Sequence, residues 1–243
     1  MKKCALITGA SGGIGSEIAL RLASDGFSIA ACYCSDENGI RELEEKLSQS
    51  GAEYRIYKAD VSDYNSIKEI FADATDFFGG VSVLVNNAGM AQQKLFTDIT
   101  EQEFDRITAV NFKGVFNCCK CAVPFMVSQK SGKIINVSSM WGVCGASCET
   151  VYSATKAAVI GLTKALAREL APSNIQVNCV APGAIDTKMN NNLSEEDKAA
   201  FAEEIPMGRF GSAREIAGVV SFLAGEDSNY VTAQVITADG GLI

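Results

Sequence analysis

Lys3-Cys-Ala-Leu-Ile-Thr-Gly-Ala-Ser-Gly-Gly-Ile-Gly15 decides how the rest of the chain is read. Its apolar run Cys4–Thr8 predicts a buried strand, and the helical pattern Ile14–Ser24 follows the glycines directly. Glycines let a backbone turn sharply and approach a pyrophosphate, while the helix that follows offers free N–H groups and the positive end of its dipole. The spacing of Gly9, Gly13 and Gly15 is Gly-x-x-x-Gly-x-Gly, not the general Gly-x-Gly-x-x-Gly fingerprint. No Gly-Lys-Ser/Thr follows, which excludes a phosphate loop of the Walker type. In isolation such a tract could be a glycine-rich turn. After the first strand of an alternating chain it reads as a phosphate cradle.

That alternation runs from end to end. Strands are predicted over Cys4–Thr8, Ser28–Tyr33, Glu53–Ala59, Val83–Val85, Lys133–Val137, Gln176–Val180 and Ala233–Thr237. These are short apolar or β-branched runs, as expected for strands buried on both faces. Helices are predicted over Ile14–Ser24, Gly39–Ser50, Ser66–Phe77, Val151–Leu170 and Arg214–Leu223, with Gln102–Val127 forming two helices or one bent one. The pattern predicts an α/β fold: a doubly wound parallel sheet of about seven strands with helices on both faces, in one domain spanning 1–243. No linker, repeat or low-complexity tract interrupts it. The one long stretch without a clear strand, 183–211, contains a good helix start at Ser194-Glu-Glu-Asp197 and reads as a lid over a site.

Composition narrows the classes. The chain has 243 residues, 47% of them apolar, and a net charge of −8, which argues against nucleic acid or an anionic membrane as main partner. No apolar run approaches the roughly 18 residues of a membrane span, and the opening apolar stretch is shorter than the core of a signal peptide. There is no histidine, so Ser–His–Asp and Cys–His catalysis are excluded. The nine cysteines are odd in number and lie in apolar segments; they read as small buried residues of a reducing compartment, the cytoplasm, with no metal site.

Ser139, Tyr152 and Lys156 carry the candidate chemistry. Tyrosine and lysine four apart share one helix face. A lysine ammonium there favours the phenolate, bringing the phenol from its usual pKa of about 10 toward neutrality. A serine hydroxyl from another element could hold the oxygen being converted, which suits carbonyl–alcohol chemistry. The same Tyr-x-x-x-Lys spacing recurs at Tyr54–Lys58, in a strand-like stretch, and at Tyr64–Lys68, on a polar helix start; neither has cofactor machinery around it.

Together these residues resemble the short-chain dehydrogenase/reductase family over essentially the whole chain, and the resemblance implies a Rossmann-like fold. It implies that Gly9, Ser11, Gly12, Gly13, Ile14 and Gly15 cradle a nicotinamide dinucleotide, that Asp60 and Val61 hold the adenine, and that Asn87, Ala88 and Gly89 of the Asn86-Asn-Ala-Gly89 element support sheet and cofactor. Pro182, Gly183, Ile185 and Thr187 would fix the nicotinamide carboxamide. Asn111, Ser139, Tyr152 and Lys156 match the family's catalytic tetrad. Tyr152 would protonate the carbonyl oxygen, Ser139 would hydrogen-bond it, Lys156 would lower the tyrosine pKa and bind the ribose, and Asn111 would anchor a water feeding protons through Lys156. Read without the resemblance, Asn111 is a helix cap and Ser139 a turn residue.

By the same resemblance the end of the second strand is Tyr33, where an acid would hydrogen-bond the ribose and repel a 2′-phosphate. Asp36 lies three residues on, and Gly12 stands where many NADP-dependent members carry arginine. NADP(H) is favoured and NAD(H) is the alternative. The 205–211, 213–216 and 236–241 stretches are most similar to bacterial 3-oxoacyl-[acyl-carrier-protein] reductases, which implies reduction of a 3-oxoacyl thioester in fatty acid biosynthesis, with acyl carrier protein as a partner and a homotetrameric assembly. Lys130 matches one basic docking position for that acidic partner, while Ser173 stands at another. The alternatives are a hydroxysteroid, sugar or diketone substrate, or a nucleotide-sensing or scaffold protein without turnover.

Overall fold

The computed structural model describes residues 3–187 and 194–243. Seven parallel strands form one sheet: β1 (Cys4–Thr8), β2 (Ser28–Tyr33), β3 (Tyr54–Lys58), β4 (Val83–Asn86), β5 (Gly132–Val137), β6 (Ile175–Pro182) and, last in the chain, β9 (Val235–Ala238). Their order is β3-β2-β1-β4-β5-β6-β9, so the winding reverses between β1 and β4. Two further strands of two residues each, β7 (Ile185–Asp186) and β8 (Gly211–Ser212), pair in parallel outside the sheet. They fall in the stretch read as strandless, because two residues are too few to show a period.

The alternation of side chains along β1 shows why both faces must be covered. Ala5 and Ile7 point to one face, Cys4 and Leu6 to the other, and all four are buried. Helices α1 (Gly13–Ser24), α2 (Glu37–Ser50) and α9 (Ala213–Ala224) cover the first face with Leu22, Leu43 and Val220. Helices α3 (Tyr64–Phe78), α5 (Gly114–Gln129) and α7 (Thr150–Leu170) cover the second with Phe71, Met126 and Val159. Each fully buried side chain of this size contributes roughly 1.5–3 kcal/mol. Asp36 and Asp63 cap α2 and α3, accepting backbone hydrogen bonds from Gly39 and Asn65.

The Gln102–Val127 segment resolves into α4 (Glu101–Thr108), a π-helical turn over Ala109–Lys113, and α5. Asn111 therefore lies within a continuous helical path, not at a cap. Two short helices complete the path: α6 (Trp141–Cys144) and α8 (Glu195–Glu204), the latter begun by Ser194 as the spacing predicts. Of the stretch read as a lid, residues 188–193 lie outside the described residues. No helix among the described residues is long and apolar enough to cross a membrane.

Candidate active site

In a doubly wound sheet, the crevice opens beyond the carboxyl ends of the strands where the winding reverses. Here that crevice is a cleft of about 1260 Å³ running from the end of β3 to the end of β6. Asp60 follows β3 and Ser139 follows β5, four strands away in the sheet, so the two ends are separated by about 19 Å at the usual strand spacing.

The glycine loop forms the middle of the wall. Gly9 sits at φ +65°, and a Cβ there would stand 2.8 Å from the Ala88 Cα. Thr8 Oγ1 accepts hydrogen bonds from the Asn87 and Ala88 backbone N–H groups at 3.1 and 3.0 Å. The Asn87 side-chain amide donates back to the Thr8 and Gly9 carbonyls at 3.1 and 3.0 Å. Helix α1 begins beyond this seam with Gly12 as its N-cap and no side chain capping it. Its first N–H groups need another acceptor. An uncapped helix start, small residues on the wall and a cleft of this size fit an extended dinucleotide with a pyrophosphate at α1.

At the β3 end, burial raises the Asp60 carboxyl, but hydrogen bonds from the Ser62 hydroxyl and amide and from Arg106 outweigh it and hold the group below its ordinary value. Its Oδ1 accepts from Ser62 and its Oδ2 from Arg106 at 2.8 Å. The Tyr33 hydroxyl donates to Glu37 at 3.0 Å, and Glu37 pairs with Lys58. Asp36 lines the cleft with its carboxylate 3.7 Å from where a Gly12 Cβ would be.

At the other end stand Ser139, Tyr152 and Lys156. Ser139 follows β5, and its Oγ accepts from the Trp141 N–H at 3.2 Å. Tyr152 and Lys156 lie one turn apart on α7, with Lys156 Nζ 5.7 Å from the tyrosine ring centre. Lys156 is 4% exposed and donates to the Val137 carbonyl at 2.9 Å. Burial pushes its ammonium down to about 8, with the Cys179 thiol acting weakly the other way. Burial also raises the Tyr152 phenol; the Ser139 hydrogen bond opposes this and the Glu149 charge adds to it. The spacing alone suggests a phenol drawn toward neutrality. In the structure burial raises the phenol and the lysine ammonium turns to the Val137 carbonyl, so the neutral phenol, the form able to donate a proton, is favoured.

Nearly every residue singled out from sequence lines this cleft, from Gly9, Ser11, Gly12, Gly13 and Ile14 through Tyr33, Asp60, Val61 and Asn87–Gly89 to Pro182, Gly183, Ile185 and Thr187. Two do not. Gly15 lies one residue inside the wall, where a Cβ would overlap the Gly9 carbonyl. Asn111 is fully buried behind it, its Oδ1 accepting from the Met90 N–H at 2.8 Å and its Nδ2 donating to the Met90 carbonyl and to Thr155. Tyr54 and Tyr64 are absent from the wall. Sequence reading missed Arg106, Gln92, Gln93, Glu149 and Phe201, which join the lining only through the fold and share no motif. No cluster of three or more potential metal ligands stands among the described residues.

Comparisons with known proteins place this geometry. A family described as "Enoyl-(Acyl carrier protein) reductase" matches residues 9–243. The chain is 44% identical over 242 residues to 3-oxoacyl-[acyl-carrier-protein] reductase of Staphylococcus epidermidis, covering 100% of this chain and 99% of the relative. It is 43% identical to the Thermotoga maritima protein of the same name, covering 99% and 98%. The crystal structure of levodione reductase superimposes with a TM-score of 0.94 at 33% identity, covering 98% of this chain and 96% of that one.

Proposed function

Because this chain belongs to the short-chain dehydrogenase/reductase family, we propose that it reduces a 3-oxoacyl thioester to the 3-hydroxyacyl thioester in fatty acid biosynthesis. The observation that carries this reading is the meeting of Ser139, Tyr152 and Lys156 at one end of a dinucleotide-sized cleft, in a chain alike over its full length to 3-oxoacyl-[acyl-carrier-protein] reductases. One ketone, one reduced nicotinamide and one proton give one alcohol and one oxidised nicotinamide.

A reduced nicotinamide, when bound, would supply the hydride. Tyr152 gives its phenolic proton to the carbonyl oxygen, and Ser139 Oγ–H hydrogen-bonds that oxygen while charge grows on it. Lys156, now bonded to the Val137 carbonyl, would hold the ribose hydroxyls and return a proton toward Tyr152. Asn111 acts from behind, fixing the Met90 backbone and the π-helical turn. Gly9 to Ile14 would receive the pyrophosphate with Gly15 packed behind them, Asp60 and Val61 the adenine, and Pro182, Gly183, Ile185 and Thr187 the carboxamide.

NADP(H) is the favoured cofactor, on the ground that β2 ends in Tyr33, which carries no charge to repel a 2′-phosphate. NAD(H) is the second reading, supported by Asp36 on the cleft wall and by Gly12 where a cation could stand. Acyl carrier protein is the proposed carrier of the substrate, a homotetramer the assembly and the cytoplasm the compartment; all nine cysteines are free thiols. Likeness to levodione reductase supports a diketone as the rival substrate.

The test is oxidation of NADPH and NADH followed at 340 nm with a short 3-oxoacyl thioester, a steroid ketone, a sugar ketone and a diketone. Turnover of the thioester supports the proposal. Turnover of another ketone alone replaces the substrate, and cofactor binding without any turnover favours a sensor or scaffold. Sedimentation showing monomer at micromolar concentration would remove the tetramer.

A further inference from the structure

Glu149 occupies the N-cap position of α7, three residues before Tyr152, yet its side chain caps nothing. Ser, Thr, Asp or Asn would ordinarily stand there and accept an N–H from the first turn. Here Glu149 lines the cleft instead, beside Ser147 and Trp141. Burial raises its pKa, and among the described residues no cation forms an ion pair with it. Its charge does reach the reacting end, where it adds to the upward shift of the Tyr152 phenol.

The neighbouring loop repeats the theme. The loop carrying Gln92 and Gln93 is tied to the Glu149 loop by a hydrogen bond from the Lys94 N–H to the Cys148 carbonyl at 2.7 Å. Gln92 Oε1 is buried and finds no donor among the described residues. The Lys94 ammonium is held by Glu103 and does not line the cleft. The substrate end thus presents an acid and an unanswered acceptor, while Lys156 on the same wall is spent on the Val137 carbonyl.

We propose that Glu149 sets the charge of the substrate: this end of the cleft admits a neutral 3-oxoacyl thioester and rejects the free 3-oxo acid, whose carboxylate would lie close to the reacting carbonyl. Like charges brought together in a partly desolvated cleft repel strongly, and such repulsion is a common source of specificity. The enzyme would therefore act on the activated acyl group and ignore its hydrolysis product. The inference rests on the reductase reading above.

Three 3-oxobutanoates that differ in charge test it: the free acid, the methyl ester and the choline ester, each assayed for kcat/KM with the wild-type chain and with Glu149→Gln. The wild type should rank cation above neutral above anion, and the variant should narrow the cation-to-anion ratio by about tenfold or more. Mere structural damage would lower all three alike, leaving the ratio unchanged, and that result would overturn the proposal. So would a wild type that reduces the free acid as well as the methyl ester. Failure of the underlying reading is distinct: neither these esters nor the thioester would be reduced at all.

Discussion

Lys156 is tied to Val137, its ammonium donating at 2.9 Å to the carbonyl that ends β5, and this bond anchors α7 to the sheet at the end of the cleft lined by Ser139 and Tyr152. The lysine is buried, and its pKa falls from the ordinary 10.5 to about 8. Between those values the unfolded chain binds a proton that the folded chain does not, so stability from this group rises with pH across the window. Below about 8 the folded protein carries the full cost of the buried charge, about 3 kcal/mol. Lys156→Met removes that cost. The stability difference between variant and wild type, from urea unfolding at pH 7.5 and 10, should shift by 2–3 kcal/mol in favour of the wild type at the higher pH. A difference that stays constant would mean that the ammonium is not desolvated.

Tyr152→Phe should lower kcat by about 10²–10⁴-fold, the usual worth of a positioned proton donor. The dissociation constant of the cofactor, from fluorescence titration, should stay within about twofold. Tyr54→Phe and Tyr64→Phe share the Tyr-x-x-x-Lys spacing but lie off the cleft wall and should leave kcat near wild type. Equal losses at all three positions would detach the chemistry from the α7 pair.

The contrast between these three tyrosines shows what the sequence could convey. Strands buried on both faces and helices with one apolar face leave strong local patterns, and these specify the doubly wound sheet and the glycine loop. Tyr152 and Lys156 were legible because helical spacing itself brings them together. Arg106 and Glu149 were not. Arg106 reaches Asp60 across 46 residues of chain, and Glu149 faces the cleft because its loop is stitched to Lys94. Such contacts depend on loop paths, which carry no periodic signal. The β7–β8 pair was hidden because two residues in each strand are too few to show a period.

Gly15→Ala tests the seam beneath the glycine loop proposed to hold the pyrophosphate. A Cβ at this position would overlap the Gly9 carbonyl and approach the Asn87 Nδ2 to 2.6 Å, disturbing the amide that holds the loop to the end of β4. Backbone, not a flexible side chain, stands in the way. Overpacking of this kind costs about 1–3 kcal/mol, seen as a lower melting temperature. Because α1 would be pushed from the loop, cofactor binding should weaken by about tenfold or more. A variant with unchanged melting and unchanged cofactor affinity would show that α1 and the loop tolerate separation.

Arg106 offers the last test, because it separates binding from chemistry. Its guanidinium holds Asp60 Oδ2 at 2.8 Å at the β3 end of the cleft, four strands from Ser139. The pair is partly exposed, with the two side chains 50% and 32% accessible, so it contributes at most about 1 kcal/mol to folding. Arg106→Leu leaves Ser62 alone to orient the Asp60 carboxyl and removes a charge from the cleft wall. The expected result is a cofactor dissociation constant raised about fivefold, a melting temperature within a few degrees of wild type, and kcat at saturating cofactor changed by less than about twofold. A large fall in kcat with cofactor affinity intact would place Arg106 in the reaction itself and contradict the division of the cleft into a holding end and a reacting end.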